Sequence, residues 1–365
     1  MRNHPNTPFA FLILVSLIAA CFLISVVAGG VIWLNRVGPA APAPTQAAAG
    51  PAQPETSHTE IPATPSLSPT PGRGSPSPSP SPSPSPSPTP QNLRGRIVFT
   101  CQLNRDTRHD QICIMNPDGS GYQRLTTDDK SDYNYPSLAP DGKSVVYAGE
   151  ETGAFQIYAM DLQSHQERQL TDKDNGAYAP AVSPDGSQIV YVMEEGENKL
   201  LWIMDRNGKH QRQVFGPPQG NGWDPTWSPD GKQILFASDM AGDVQLFVLN
   251  LQDASVRQVT HFPGIRGRSD WSPDGAWMAT YAGETWQHEI VIFKPDGSGE
   301  KPITNGGNNL APSFSPDGQW ITFTSYRDHP RDDNGCEIYI MRTDGSQVTR
   351  LTNNNYCDWQ PRWGP

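Results

Sequence analysis

Two hydrophobic rhythms divide this chain. From Phe9 to Leu34 run 26 residues without a charge, rich in Leu, Ile, Val, Ala and Phe. As a helix this run spans ~39 Å at ~1.5 Å per residue, more than the ~30 Å hydrocarbon core of a bilayer. Beyond Arg94 the apolar residues instead come in short alternating stretches, such as Ser144-Val145-Val146-Tyr147 and Gln233-Ile234-Leu235-Phe236. That alternation predicts strands.

The strand pattern repeats. A turn of Pro-Asp-Gly, preceded by Ser or Ala, recurs at Ala139–Gly142, Ser183–Gly186, Ser228–Gly231, Ser272–Gly275 and Ser315–Gly318. Its aspartates are 44, 45, 44 and 43 residues apart. An apolar stretch like Gln156-Ile157-Tyr158-Ala159-Met160 keeps the same phase. So does a closing pair: Leu125-Thr126, Leu170-Thr171, Val214-Phe215, Val259-Thr260, Ile303-Thr304 and Leu351-Thr352. Six closings predict six units. Within each, Pro presets φ at the second turn position and Gly accepts positive φ at the fourth, which joins two twisted strands. A second turn (Asp118-Gly119, Asn207-Gly208, Asp296-Gly297, Asp344-Gly345) leads to an outer strand. Four antiparallel strands in each ~44-residue unit make a propeller blade.

The ends of this region complement each other. Arg96-Ile97-Val98-Phe99-Thr100 reads as a second strand, and Gln360-Pro361-Arg362-Trp363-Gly364-Pro365 as a first strand with its turn cut short. The last strand is therefore expected to complete the first blade and close the ring without an open edge. On its five Ser/Ala-Pro-Asp-Gly turns and its Ile-Tyr-x-Met strands, residues 94–365 resemble the TolB-like six-bladed propellers built from WD40-like repeats. The small α/β domain that precedes the propeller in TolB is replaced by anchor and stalk. The resemblance implies a scaffold for protein–protein contact in the cell envelope. Similar propellers also front prolyl-oligopeptidase-type peptidases and form certain pectate-degrading lyases.

The expected organisation is a cytoplasmic tail over residues 1–8, a transmembrane signal anchor over 9–34, a disordered linker over 35–93 and the propeller over 94–365. The apolar run is too long for the core of a cleaved signal peptide. Ile18-Ala19-Ala20-Cys21 resembles a bacterial lipobox, so lipidation at Cys21 stays open beside the anchor. The linker is dominated by Pro, Ala, Ser and Thr, and eight Ser/Thr-Pro pairs run from Ser75 to Pro90. Proline pins φ and restricts the residue before it, which predicts a polyproline-II spacer of ~50 Å at ~3.1 Å per residue. The propeller is expected on the extracytoplasmic side, in a periplasm or in open medium.

Charge narrows the partners. Residues 94–365 carry 24 basic and 36 acidic side chains, a net charge of −12 with His neutral. Such a field repels phosphate backbones and argues against nucleic acid. No Gly-x-Ser-x-Gly or His-Glu-x-x-His motif occurs. His109, His165, His210, His261, His288 and His329 fall singly in or beside loops, so no catalytic residue, metal site or cofactor is expected. Cys101, Cys113, Cys336 and Cys357 share one face by blade phase, and Cys101–Cys113 and Cys336–Cys357 are the expected disulfides.

Where the framework repeats, the residues at the channel mouth do not. Before each first strand the chain reads Tyr133-Asn134-Tyr135, Ala177-Tyr178-Ala179, Gly222-Trp223-Asp224, Ile265-Arg266-Gly267, Asn309-Leu310-Ala311 and Asp358-Trp359-Gln360. In the fourth of these units Arg268 stands where Pro is usual. Tyr, Trp and Arg dominate interface hot spots. The candidate partner-binding set is Tyr133, Tyr135, Tyr178, Trp223, Asp224, Arg266, Arg268 and Trp359. The expected partner is a protein or an entering peptide. A glycan stacked on the aromatic rings is the alternative, with a metal-dependent lyase the weaker form of it.

Overall fold

The computed structural model describes residues 93–103 and 109–365. The expected tail and anchor, and the linker up to residue 92, lie outside the described residues. The described residues hold 24 strands in six four-stranded antiparallel sheets, and no helix among them. This is a six-bladed propeller.

Blade 1 pairs the last strand, Asp358–Gly364, with Arg96–Gln102, Asp110–Met115 and Gln123–Arg124. Blade 2 runs from Tyr133 to Gln169 and blade 3 from Ala177 to Phe215. Blades 4, 5 and 6 start at Gly222, Asp270 and Asn309 and end at Gln258, Pro302 and Arg350. Each second strand is nearly all apolar because both of its faces meet a neighbouring blade. Thus Val190, Ile203, Trp227, Ile234 and Phe236 pack together where blade 3 meets blade 4. Each such side chain contributes ~1.5–3 kcal/mol when fully buried.

Two polar devices recur from blade to blade. In the first, the Thr of the closing pair accepts a hydrogen bond from a third-strand N–H and donates to a Gln or Glu one residue earlier. Ile112 N donates to Thr126 Oγ1 at 3.0 Å, and Thr126 donates to Gln111 Oε1 at 2.8 Å. Thr171 with Gln156, Thr260 with Gln245, Thr304 with Glu289 and Thr352 with Glu337 repeat it. Blade 3 replaces both partners together: Leu200 and Phe215 stand there, both buried. Swapping the whole pair avoids an unpaired buried polar group.

The second device is the turn. Ser183, Ser228, Ser272 and Ser315 each donate to the turn Asp at 2.6 Å. Each also accepts the N–H five residues on, as Trp277 N does to Ser272 Oγ at 2.8 Å. The proline of each turn approaches the glycine of the next, from Pro140 against Gly186 round to Pro273 against Gly318. At the closure Pro316 meets Gly95, whose φ of 84° and contact with Gly364 O leave no room for a Cβ. Arg96, Ile97 and Val98 pair with Gly364, Trp363 and Arg362, and Trp363 Nε1 donates to Arg94 O at 2.9 Å. The last strand does close the ring.

Both sulfur pairs are joined. Cys101–Cys113 ties the second and third strands of blade 1, with Cα atoms 5.8 Å apart. Cys336–Cys357 ties the third strand of blade 6 to the loop entering the closing strand, at 4.4 Å. Both sit on the face opposite the Pro-Asp-Gly turns.

Candidate functional site: the channel and its mouth

Five of the six innermost strands are bulged near the mouth, that of blade 1 between Trp359 and Arg362. The pairing register jumps between Asn134 and Ser137, Tyr178 and Ala181, Trp223 and Thr226, and Leu310 and Ser313. The third residue of each segment has positive φ: Tyr135 58°, Ala179 50°, Asp224 50°, Ala311 49° and Gln360 52°. A bulge re-aims the side chain that it carries. Here it sends one residue per blade toward the channel axis.

Blade 5 departs from this plan, and the departure explains Arg268. Ile265 pairs with Ala282 and Asp270 with Ala279, which leaves residues 266–269 between them. In blade 4 the equivalent gap holds only residues 223–225. Blade 5 thus contains one extra residue. Gly267 takes the positive φ, at 126°. Counted back from the turn, Ser269 stands at the proline position and Arg268 at the channel position. The expectation that Arg268 replaces the proline and lies at the rim is corrected accordingly: it is buried, with 6% exposure.

Arg268 crosses the channel. Its N–H donates to Asp224 Oδ2 at 3.0 Å, as Tyr135 N–H donates to Gln360 Oε1 at 3.0 Å in the matching place of blade 2. Its guanidinium carbon lies 5.6 Å from the Tyr135 ring of the opposite blade, and Nη2 donates to Gln360 O at 3.4 Å. Nε is buried without a hydrogen-bond partner. Burial first, and Arg362 second, push the guanidinium pKa down to about 9 against the pull of Asp224, Tyr135 and Asp270. One layer further in, Arg362 pairs with Asp270 at 3.2 Å and donates to Ser269 O. Asp270 Oδ2 accepts from Ser313 Oγ and Phe314 N, both at 2.9 Å. Beyond this layer a cavity of about 170 Å³, lined by Ser137, Ala181 and Thr226 among others, opens toward the turn face. From the mouth side, two layers of charged side chains obstruct the channel.

The other predicted residues separate into rim and interior. Arg266 is exposed, and Tyr178, Trp223 and Trp359 are half-buried. Tyr178 packs on Tyr135 at 5.7 Å, and Lys199 Nζ lies 5.7 Å from the Trp223 ring. Trp359 stands beside the Asp110 carboxylate, whose pKa burial and the neighbouring Asp132 raise to about 7. Tyr135 and Asp224 belong to the channel layer below. Tyr133 is not at the mouth: it is 2% exposed, packs edge-on against Tyr147 and donates to Glu151 Oε1 at 2.6 Å. A tyrosine one residue before the bulge's start points between blades, where burial favours it.

Sequence reasoning does not reach Asp110 or the part played by Gln360. Gln360 occupies the same segment position as Tyr135, so its register was the available signal. Asp110 had none, since it opens a third strand and comes near Trp359 only through the ring closure. Among the described residues, no group of three or more His, Cys, Asp or Glu side chains is placed to hold a metal ion. His109 and His210 each face one carboxylate, Asp132 and Asp205.

Comparison with known proteins agrees with this geometry. Residues 94–365 match the TolB beta propeller domain. Among curated relatives, an uncharacterized protein of Agrobacterium fabrum, Atu1656, is 40% identical over 97 residues, covering 26% of this chain and 31% of that protein. The Tol-Pal system protein TolB of Geobacter sulfurreducens is 35% identical over 79 residues, 20% of this chain and 17% of its own length. The matched stretches thus span less than a third of these relatives. Among solved structures, TolB from Acinetobacter baumannii superposes with a TM-score of 0.67 at 24% identity, covering 76% of this chain and 68% of that one. With the family match spanning the whole closed ring, this chain belongs to the TolB β-propeller family.

Proposed function

We propose that this protein is a membrane-anchored, non-catalytic docking scaffold of the cell envelope that binds a protein partner at the channel mouth. The observation that carries the reading is the contrast among equivalent positions. The framework residues of six blades repeat, while the mouth carries exposed Arg266 beside half-buried Tyr178, Trp223 and Trp359. Aromatic and arginine side chains held half-buried by a rigid ring lose little entropy on binding, which is how hot spots are built. The Arg268–Tyr135 layer lies beneath them, so a partner is read at the rim and not threaded through the ring.

One observation supports the extracytoplasmic placement: paired disulfides persist in oxidising compartments, and both pairs here brace the mouth face. The 26-residue apolar run supports the anchor on length alone.

The test is affinity capture from a cell-envelope extract with the full chain in detergent, beside a variant carrying Trp223→Ala, Arg266→Ala and Trp359→Ala. Recovery of one protein by the wild type alone, with both chains equally folded by near-UV circular dichroism, is the expected result. Equal recovery by both would place the site elsewhere; recovery of glycan in place of protein would overturn the reading.

A further inference from the structure

The six blade junctions are not equally sealed. Each third strand carries a residue that packs toward the following blade. The register against the second strand identifies it: Ile114 opposite Val98, Ile203 opposite Val190, Val248 opposite Leu235, Ile292 opposite Ala279 and Ile340 opposite Thr322. All five are buried, and all are β-branched. The sixth is Ala159, opposite Val146, and it remains partly exposed.

A cavity of about 350 Å³ opens at that junction, between blades 2 and 3. Its floor is Val146, Ala159, Val182 and Ile189, and its rim carries Arg168 and Arg206 beside Asp161, whose carboxylate accepts hydrogen bonds from Gln163 N, Ser164 N and Ser164 Oγ. Glu167, next to Arg168 on the outer strand, is turned to the other side of the blade, where it accepts a hydrogen bond from Tyr147. The two rim arginines are exposed and weakly satisfied. Arg168 donates to two backbone carbonyls, Asn207 O at 2.9 Å and Arg206 O at 3.2 Å. Arg206 reaches a carboxylate, Asp141, only at 3.8 Å.

We propose that this cleft is a second docking site, which takes one branched aliphatic side chain, flanked by carboxylates, from a protein partner. Five sibling junctions define the shape of the missing group: an Ile or Val side chain lowered between two blades. The two guanidinium groups at the rim define the sign of what flanks it. A partner's Ile thus supplies from outside what the chain's own sequence omits at position 159, and its neighbouring Asp or Glu meets Arg168 and Arg206. The site lies near the turn face, away from the mouth, so it does not depend on the mouth reading.

The test uses the full chain in detergent micelles with ¹³C-δ1-methyl isoleucine, because Ile189 lines the floor and reports directly. The probes are the blocked peptides Gly-Asp-Ile-Asp-Gly, Gly-Asp-Ala-Asp-Gly and Gly-Lys-Ile-Lys-Gly. The first is expected to move the Ile189 δ1-methyl resonance saturably. The alanine peptide should bind about tenfold more weakly, the loss expected for three partly buried carbons. The lysine peptide should also bind more weakly. Ala159→Ile, which copies the sibling junctions, should abolish the response. Arg206→Glu, which touches no core atom, should reverse the preference between the Asp and Lys peptides. A resonance indifferent to all three peptides would overturn the proposal, as would equal responses to all three or an Arg206→Glu variant that still prefers Asp.

Discussion

The two faces of this ring are made from the same repeat and treat it oppositely. On the turn face one solution recurs: Ser donates to Asp, Pro meets the next Gly, and the pattern holds even where the two chain ends meet at Gly95 and Gly364. On the mouth face the backbone solution recurs, with positive φ at Tyr135, Ala179, Asp224, Gly267, Ala311 and Gln360, but the side chains at the channel position are Tyr, Ala, Asp, Arg268, Ala and Gln. Repeated side chains mark what every blade needs in order to fold. Repeated backbone with unlike side chains marks what the ring is free to use. Blade 5 sharpens the lesson, because with one inserted residue its channel position carries an arginine that spans the channel.

The largest expected effect lies in the closure. Trp363 is buried and anchors the last strand to Arg94 O. Trp363→Ala should cost ~3–5 kcal/mol, read as a lower urea midpoint. The same truncation at half-buried Trp223, on the mouth rim, should cost well under half as much. If the two costs were equal, the division between folding face and binding face would be wrong.

Next comes the buried charge. Replacing Arg268 by Met removes a desolvated guanidinium whose Nε has no partner. A buried charge with no carboxylate in an ion pair with it costs its desolvation, which the substitution removes. A gain or no change in midpoint is expected, and a loss above ~2 kcal/mol would mean that the Tyr135 and Gln360 contacts outweigh the burial.

The turn provides a third comparison, internal to the repeat. Ser272→Ala removes the hydroxyl that links Trp277 N and Asp274, at an expected cost of ~1 kcal/mol. Ala139 already lacks that hydroxyl, so Ala139→Ser should recover a similar amount in the first turn. Opposite signs at the two sites are the expected result in thermal unfolding.

A fourth comparison is in pH. Asp358 is buried with Oδ1 unpaired, and burial followed by Glu337 raises its pKa to about 7. The folded state therefore holds a proton that the unfolded chain has released above pH ~4. Stability should fall as pH rises from ~4 to ~7, because the native state binds more protons there. Asp358→Asn should flatten that part of the pH profile relative to wild type. An unchanged slope would assign the effect to Asp110 instead.

Much of this fold is legible because the turn and the closing pair are local signals repeated in phase. The partner of the closing Thr was equally visible in Gln111, Gln156, Gln245, Glu289 and Glu337, but it is recognised only once strand pairing brings residues 15 apart into contact. Arg268 was misplaced by counting forward from the strand start; counting back from Ser272 reaches the extra residue. Tyr133 was misplaced because alternation shows that a side chain changes face without showing which face meets a neighbouring blade. Ala159 passed unnoticed since a small residue in a strand carries no signal until its five siblings are seen buried. Chemistry at the mouth was legible as residue type, and its layering was not, since bulges set depth through backbone geometry.

The central claim is that partners meet the mouth face. The most direct measurement is in-cell photocrosslinking from a benzophenone side chain placed at Arg266, on the mouth, and at Lys232, on a turn of blade 4. The account predicts one discrete protein adduct from position 266 and none from position 232. Adducts from position 232 alone, or the same ladder from both positions, would contradict it.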